Sequence, residues 1–131
     1  VILDSRDDRG RGVALEVAEK GSVGLQFSDG QNPPAQWTSN PGLLKEGQRH
    51  HITAIVDGGP NIITFLVDGN LCDGGESRQY GWGRFDRKIG DINGANKLRL
   101  SPSFTGEIHG LRIYDRYLRT SEAVANHSAG L

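Results

Sequence analysis

The run Arg78-Gln79-Tyr80-Gly81-Trp82-Gly83-Arg84-Phe85 alternates aromatic rings and guanidinium groups with glycines. That set suits carbohydrate, because a ring stacks on the apolar face of a sugar while planar polar groups read its hydroxyls. The glycines let the backbone bend and present the rings. Trp37 lies in a second loop region that could face the first. Trp37, Arg78, Tyr80, Trp82 and Arg84 are therefore the candidate ligand-binding residues, and the arginine pair suits an anionic or sulfated glycan. A plainer reading stands beside it: a Trp between glycines plugs one end of the fold, and the arginines are ordinary surface charge.

Other chemistry is thinner. Cys72 as a nucleophile needs a His base and an orienting group. His50, His51, His109 and His127 sit in no recognisable local pattern around it. Cys72 is expected to be a small buried hydrophobe. His50 and His51 cannot share a metal, since adjacent strand residues point to opposite faces, and one of them is expected to be a buried structural His. Glu16 and Glu19 differ in strand parity, and Asp7-Asp8 is a loop pair among arginines. No catalytic residue is assigned, and the chain is expected not to be an enzyme. Asp4, Asp7, Asp8, Asp29, Asp73 and Asp91 all lie in glycine-rich loops. Calcium takes six to eight oxygen ligands of that kind, so calcium is the candidate cofactor, with no ligand set assigned and no EF-hand spacing. Asp57 and Asp68 are expected to stabilise turns instead.

The elements that must position these residues follow from composition and periodicity. Glycine accounts for 19 of 131 residues, about twice its usual share. Each interior Gly costs a helix about 1 kcal/mol, so a long helical protein is disfavoured. The length fits one domain, 1–131. The net charge of -1 offers no basic excess to grip a phosphate backbone, which argues against nucleic acid. No apolar run reaches the roughly 18 residues of a membrane span. A single Cys excludes an intrachain disulfide. The chain has no initiator Met and no signal sequence, and reads as a mature product or an excised fragment.

Val13, Leu15 and Val17, then Val23, Leu25 and Phe27, alternate with other residues around the turn at 19–22, predicting a hairpin over 13–28. A short strand over 36–38 carries Trp37. His50–Asp57 and Asn61–Asp68 predict two strands joined at Gly58-Gly59-Pro60, with Ile63, Phe65 and Val67 on one face and Ile62, Thr64 and Leu66 on the other. Apolar residues on both faces imply cover on each side. Residues 73–96 are the least regular, with a short strand near 88–92. Leu98 and Leu100 mark another strand. A last long strand over 106–114 changes parity at His109-Gly110, predicting a β-bulge. Thr120 is expected to cap a short helix carrying Glu122 in its first turn.

His50-His51-Ile52-Thr53-Ala54-Ile55-Val56-Asp57, Phe65-Leu66-Val67-Asp68-Gly69 and Gly106-Glu107-Ile108-His109-Gly110-Leu111-Arg112-Ile113-Tyr114-Asp115-Arg116-Tyr117-Leu118 together resemble the laminin-G-like domains of the concanavalin A-like lectin and glucanase superfamily. The resemblance covers about residues 13 to 127. It implies an all-β antiparallel jelly-roll sandwich of two sheets with a short C-terminal helix. It departs at Arg49, where the family commonly has Trp. It also implies one or two strands before the position of Val1, so the expected sandwich lacks its N-terminal strands, or another chain supplies them. Relatives of this fold often hold calcium at the sandwich rim. Its glucanases carry acids on alternate residues of one strand, and no Glu-x-Asp-x-x-Glu arrangement occurs in this chain. The resemblance therefore implies a non-catalytic, lectin-like module of a bacterial extracellular or cell-surface protein, with a glycan or a protein as partner. The alternative is an assembly subunit, a homo-oligomer or fibre joined through an open strand edge.

Overall fold

The computed structural model describes residues 1–72 and 82–130. Two antiparallel sheets face each other, and one short helix closes the C-terminal side, giving an all-β sandwich. The strands are β1 (Leu3–Asp4), β2 (Gly12–Ala18), β3 (Ser22–Ser28), β4 (Ala35–Thr38), β5 (Ile52–Asp57), β6 (Ile62–Val67), β7 (Asn70–Leu71), β8 (Trp82–Arg84) and β9 (Arg99–Leu100), followed by helix α1 (Thr120–Ser128). The first sheet runs β4-β3-β2-β1-β9. In the second, β6 is central, with β5 on one side and β7 and β8 pairing it in turn.

Parity sets the core. Leu15, Leu25 and Trp37 are cross-strand neighbours, as are Val13, Phe27 and Ala35, and both rows face inward. Ile63, Phe65 and Val67 of β6 meet them from the second sheet, and Phe65 and Ile63 are fully buried. The opposite face of β5 and β6 is also covered, as the two-sided apolar pattern requires. There Ile55 and Leu66 pack with Leu118 and Ala123, so the helix lies over the outer side of the second sheet. Cys72 is buried in the main core.

Two turns explain themselves locally. Asp68 and Gly69 both adopt positive φ, +51° and +74°, the backbone a two-residue hairpin turn demands. Gly69 has a second constraint, since a Cβ there would strike the His127 ring. In the β5–β6 turn, Asp57 Oδ1 accepts from the Gly59 N–H at 2.9 Å.

Three local expectations differ from the structure. Residues 106–114 form no strand and no bulge, and their side chains are exposed. The alternating pattern is there, but a strand also needs a hydrogen-bonding neighbour, and these residues have no ladder partner among the described residues. Residues 88–92 form no strand either; Asp86 and Asp29 take up local N–H groups there instead. Finally, α1 starts at Thr120 itself, and the cap residue is Arg119, whose side chain cannot accept a hydrogen bond.

Glu122 compensates for that cap. Its carboxylate accepts from the Arg119 N–H at 2.7 Å and from the Arg116 guanidinium at 2.8 and 3.1 Å. The Arg116 bonds first, and the Arg119 N–H second, lower its pKa from 4.5 to about 2. A depressed carboxylate stabilises the folded state above its ordinary pKa and loses that contribution as pH falls. The stability advantage of the parent over Glu122→Gln is expected to persist above pH 4.5 and to vanish as pH falls toward about 2. Urea titrations of both proteins across that range check it.

Candidate functional site

The second sheet positions the candidate ligand residues through the three-residue strand β8. Thr64 pairs with Trp82, Ile63 with Gly83, and Ile62 with Arg84. Ile63 points into the core, so Gly83 does too; a Cβ on Gly83 would run into the Trp37 indole. Alternation then sends Trp82 and Arg84 the other way, to the outer face of the sheet. Trp37 is partly buried between the sheets, packed on the main core. The structure brings Trp82 and Arg84 together on one face and places Trp37 behind them, on the opposite side of the β8 backbone. Arg78 and Tyr80 lie outside the described residues.

Neighbouring rows supply partners that the sequence did not reveal. Ile55, Thr64 and Trp82 form one row across β5, β6 and β8; Asp57, Ile62 and Arg84 form the next. Trp82 is 37% exposed. Its Cα is about 7 Å from that of Arg84 along the strand, and Arg84 lies about 10 Å from Asp57 across two strand spacings. The patch thus offers an indole face, a hydroxyl, a guanidinium and a carboxylate, spread over the dimensions of a sugar ring or two. The only sequence signal for Thr64 and Asp57 was their parity in β6 and β5, and it gained meaning once β8 paired beside them.

A polar cluster sits at the hairpin turn after β6. The His50 Nε2 accepts the Lys45 N–H at 2.9 Å, so its Nδ1 carries the proton and donates to Asp68 Oδ2 at 2.7 Å. The His51 N–H donates to Asp68 Oδ1 at 2.8 Å. Burial alone would raise the Asp68 carboxyl, but these donors outweigh it and hold the group below its ordinary value. The His51 ring turns instead to His127 of α1, 5.3 Å away. The two adjacent histidines therefore serve different partners, and both tasks are structural.

The described acidic loop residues do not converge on a common calcium site. Asp4 is buried and faces donors: both its oxygens take Arg6, and Oδ2 also takes Arg99 at 3.0 Å. The Arg6 bonds hold its carboxyl below the usual range. Asp7 binds Arg11. Asp29 accepts the N–H groups of Gln31, Asn32 and Gly90 and the Asn32 amide, at 2.7–2.9 Å. Those bonds, led by the Asn32 and Gly90 N–H groups, hold it far below the carboxylate range. Asp91 accepts the Asn93 N–H, Asp8 is exposed, and Asp73 lies outside the described residues. Among the described residues no three His, Cys, Asp or Glu side chains converge on one point.

The outer face of the first sheet carries two open clefts. The larger, about 600 Å³, is bordered by Glu16, Glu19, Lys20, Gln36 and Thr38. The tight turn at Glu19–Gly21 brings Glu19 to the same cleft as Glu16 despite their opposite parity. The smaller, about 290 Å³, lies between the loops that follow β1 and β3. Among the described residues no helix is long and apolar enough to cross a membrane.

No curated protein matches the chain. Among solved structures it is similar to the S-layer domain-containing protein (residues 221–444) of Clostridium thermocellum ATCC 27405, at 18% identity and a TM-score of 0.39. That likeness covers 93% of this chain and 59% of the other. A profile of the Laminin_G_3 family, described as the concanavalin A-like lectin/glucanases superfamily, matches residues 1–125. The two-sheet sandwich and this match over nearly the whole chain agree, and the chain belongs to the Laminin_G_3 family of the concanavalin A-like lectin/glucanase superfamily.

Proposed function

We propose that this chain is a non-catalytic, lectin-like binding module of a secreted or cell-surface bacterial protein, and that it takes a glycan on the outer face of the second sheet. The observation that carries this reading is the outward projection of Trp82 and Arg84 from one strand, fixed by Gly83 facing the core. The indole supplies the stacking platform; Arg84, Thr64 and Asp57 supply hydrogen bonds to hydroxyls. Arg78 and Tyr80, from the same run of sequence, extend the site in this reading. Trp37 supports it from behind and touches no ligand. The non-catalytic character is supported on this face by its composition: Asp57 is the one carboxylate in β5, β6 and β8, whereas glycoside hydrolysis needs two, about 5 to 10 Å apart. On a glycan array, Trp82→Ala is expected to weaken binding about tenfold or more while its unfolding curve matches the parent. Equal binding by the folded variant would move the site elsewhere.

The run 106–114 favours a second reading, assembly through strand addition. Ile108, Leu111, Ile113 and Tyr114 are exposed, Ile113 at 70%. No backbone group of 106–114 is hydrogen-bonded among the described residues. Such a run is a template for another chain. Sedimentation equilibrium is expected to show an average mass that rises with concentration; a strictly monomeric protein would remove this reading.

A further inference from the structure

The smaller cleft on the first sheet is rich in hydrogen-bond donors. It is lined by Arg6, Arg9, Gln26, Ser28, Gln31 and Asn32, with no carboxylate among its lining residues. Internal bonds occupy the Gln26 oxygen and a lone pair of Ser28 and leave their donors. Gln26 Oε1 accepts Arg6 Nη1 at 3.0 Å, so the Gln26 NH2 group remains. Ser28 Oγ accepts the Gly30 N–H at 3.0 Å, so its O–H remains to donate. The Arg9 guanidinium has no hydrogen bond and no ion pair among the described residues.

The carboxylates around it all lie outside its lining. Asp4 takes both Arg6 and Arg99, at 2.9 and 3.0 Å, and Glu16 adds a second negative charge near Arg6. Asp7 is occupied by Arg11. Among the described residues Asp8, Glu16 and Asp29 form no ion pair, but none of the three lines the cleft, and Asp29 is held by the N–H groups of Gln31, Asn32 and Gly90 and by the Asn32 amide. Two side-chain acceptors remain in the lining, the amide oxygens of Gln31 and Asn32. The Asn32 amide NH2 is taken by Asp29 at 2.7 Å and the Lys88 carbonyl at 3.0 Å, which leaves its oxygen to read a hydroxyl. The Asp29 bonds to Asn32 and Gly90 hold that wall of the cleft in place before any ligand arrives.

We infer that this cleft is a second ligand subsite, specific for an anionic sugar unit whose carboxylate or sulfate lies on Arg9 and Arg6, with Gln26 and Ser28 donating to it and Asn32 accepting from a neighbouring hydroxyl. The volume, about 290 Å³, fits one such unit and not a long oligomer lying flat. The inference rests on the glycan-module reading and names the ligand class for a different face of the same sandwich. It requires no metal.

The test is calorimetric titration of the whole chain with oligogalacturonate, with a sulfated dextran oligomer, and with neutral dextran of equal length. Binding of at least one anionic oligomer is expected, with no binding of the neutral one in this cleft. Comparison of the first two identifies whether carboxylate or sulfate is the preferred anion. Arg9→Ala is expected to weaken that binding about tenfold or more with its unfolding midpoint unchanged, and Gln26→Ala several-fold. The loss caused by Arg9→Ala is expected to be the same in the Trp82→Ala background, which separates this cleft from the outer-face site. Absence of anionic binding, or binding insensitive to Arg9, overturns the subsite. Neutral-glycan binding that depends on Trp82 would then still stand, so the two failures are separable.

Discussion

Gly83→Val is expected to destabilise the domain by about 3 kcal/mol, the upper end of the cost of over-packing a core. Gly83 has no need of glycine's backbone freedom, because its φ lies outside the left-handed region. The obstacle is space: its Cβ would collide with Trp37 where the indole joins its own Cβ. The strand cannot retreat, because β8 is hydrogen-bonded to central β6, whose Ile63 is fully buried opposite. Trp37→Ala alone is expected to cost about 3–5 kcal/mol through the cavity it leaves. The double variant should cost clearly less than the two together, since each change relieves the other. Urea titrations of the four proteins measure this coupling. A Gly83→Val protein as stable as the parent would mean that the two sides of β8 are assigned the wrong way round, and the outward Trp82–Arg84 patch would fall with it.

Phe65→Ala should cost about 3–5 kcal/mol. Phe65 is fully buried where the two sheets meet, in the cluster that contains Val23, Leu25 and Ile63. Domains of this size hold only about 5–15 kcal/mol in total, so the variant is expected to lose about a fifth or more of its stability. The neighbouring Thr64→Ala, on the outer face, is expected to cost under about 1 kcal/mol. The contrast between adjacent residues is the informative measurement. Similar shifts in the urea midpoint at both positions would show that β6 does not alternate between core and outer face.

The hairpins were legible because their information is local. Val13 to Phe27 alternates without error, and Asp68-Gly69 has the chemistry its turn requires. The two-faced pattern of β6 announced cover on both sides, and the helix provides the second cover. The opposition of Trp37 and Trp82 was not legible. β8 has three residues with a glycine in the middle, too short to show a period, and its inward side is set by pairing with β6, about 20 residues away in the chain. The acids of the first loop looked available to a cation because their charges were counted apart from Arg6, Arg11 and Arg99; long-range pairing gave Arg99 to Asp4. The run 106–114 shows the limit from the other side. Its alternation says which side chains would share a face, and nothing about which backbone would lie beside it.

The pairing of Leu3 with Leu100 and Asp4 with Arg99 also sets the order in which the protein can form as it is made. The β2–β3 and β5–β6 hairpins are complete soon after their own residues are synthesised. β1 must wait for β9, on the order of 5 to 20 s at ordinary elongation rates. During that interval one edge of the first sheet is open and Asp4 lacks one of its two arginines. The closing loop is long, and long-range closure is the slow step of β-rich folding. Nascent chains stalled before Arg99 should therefore be the species that a holdase chaperone retains, and release should coincide with emergence of the β9 strand.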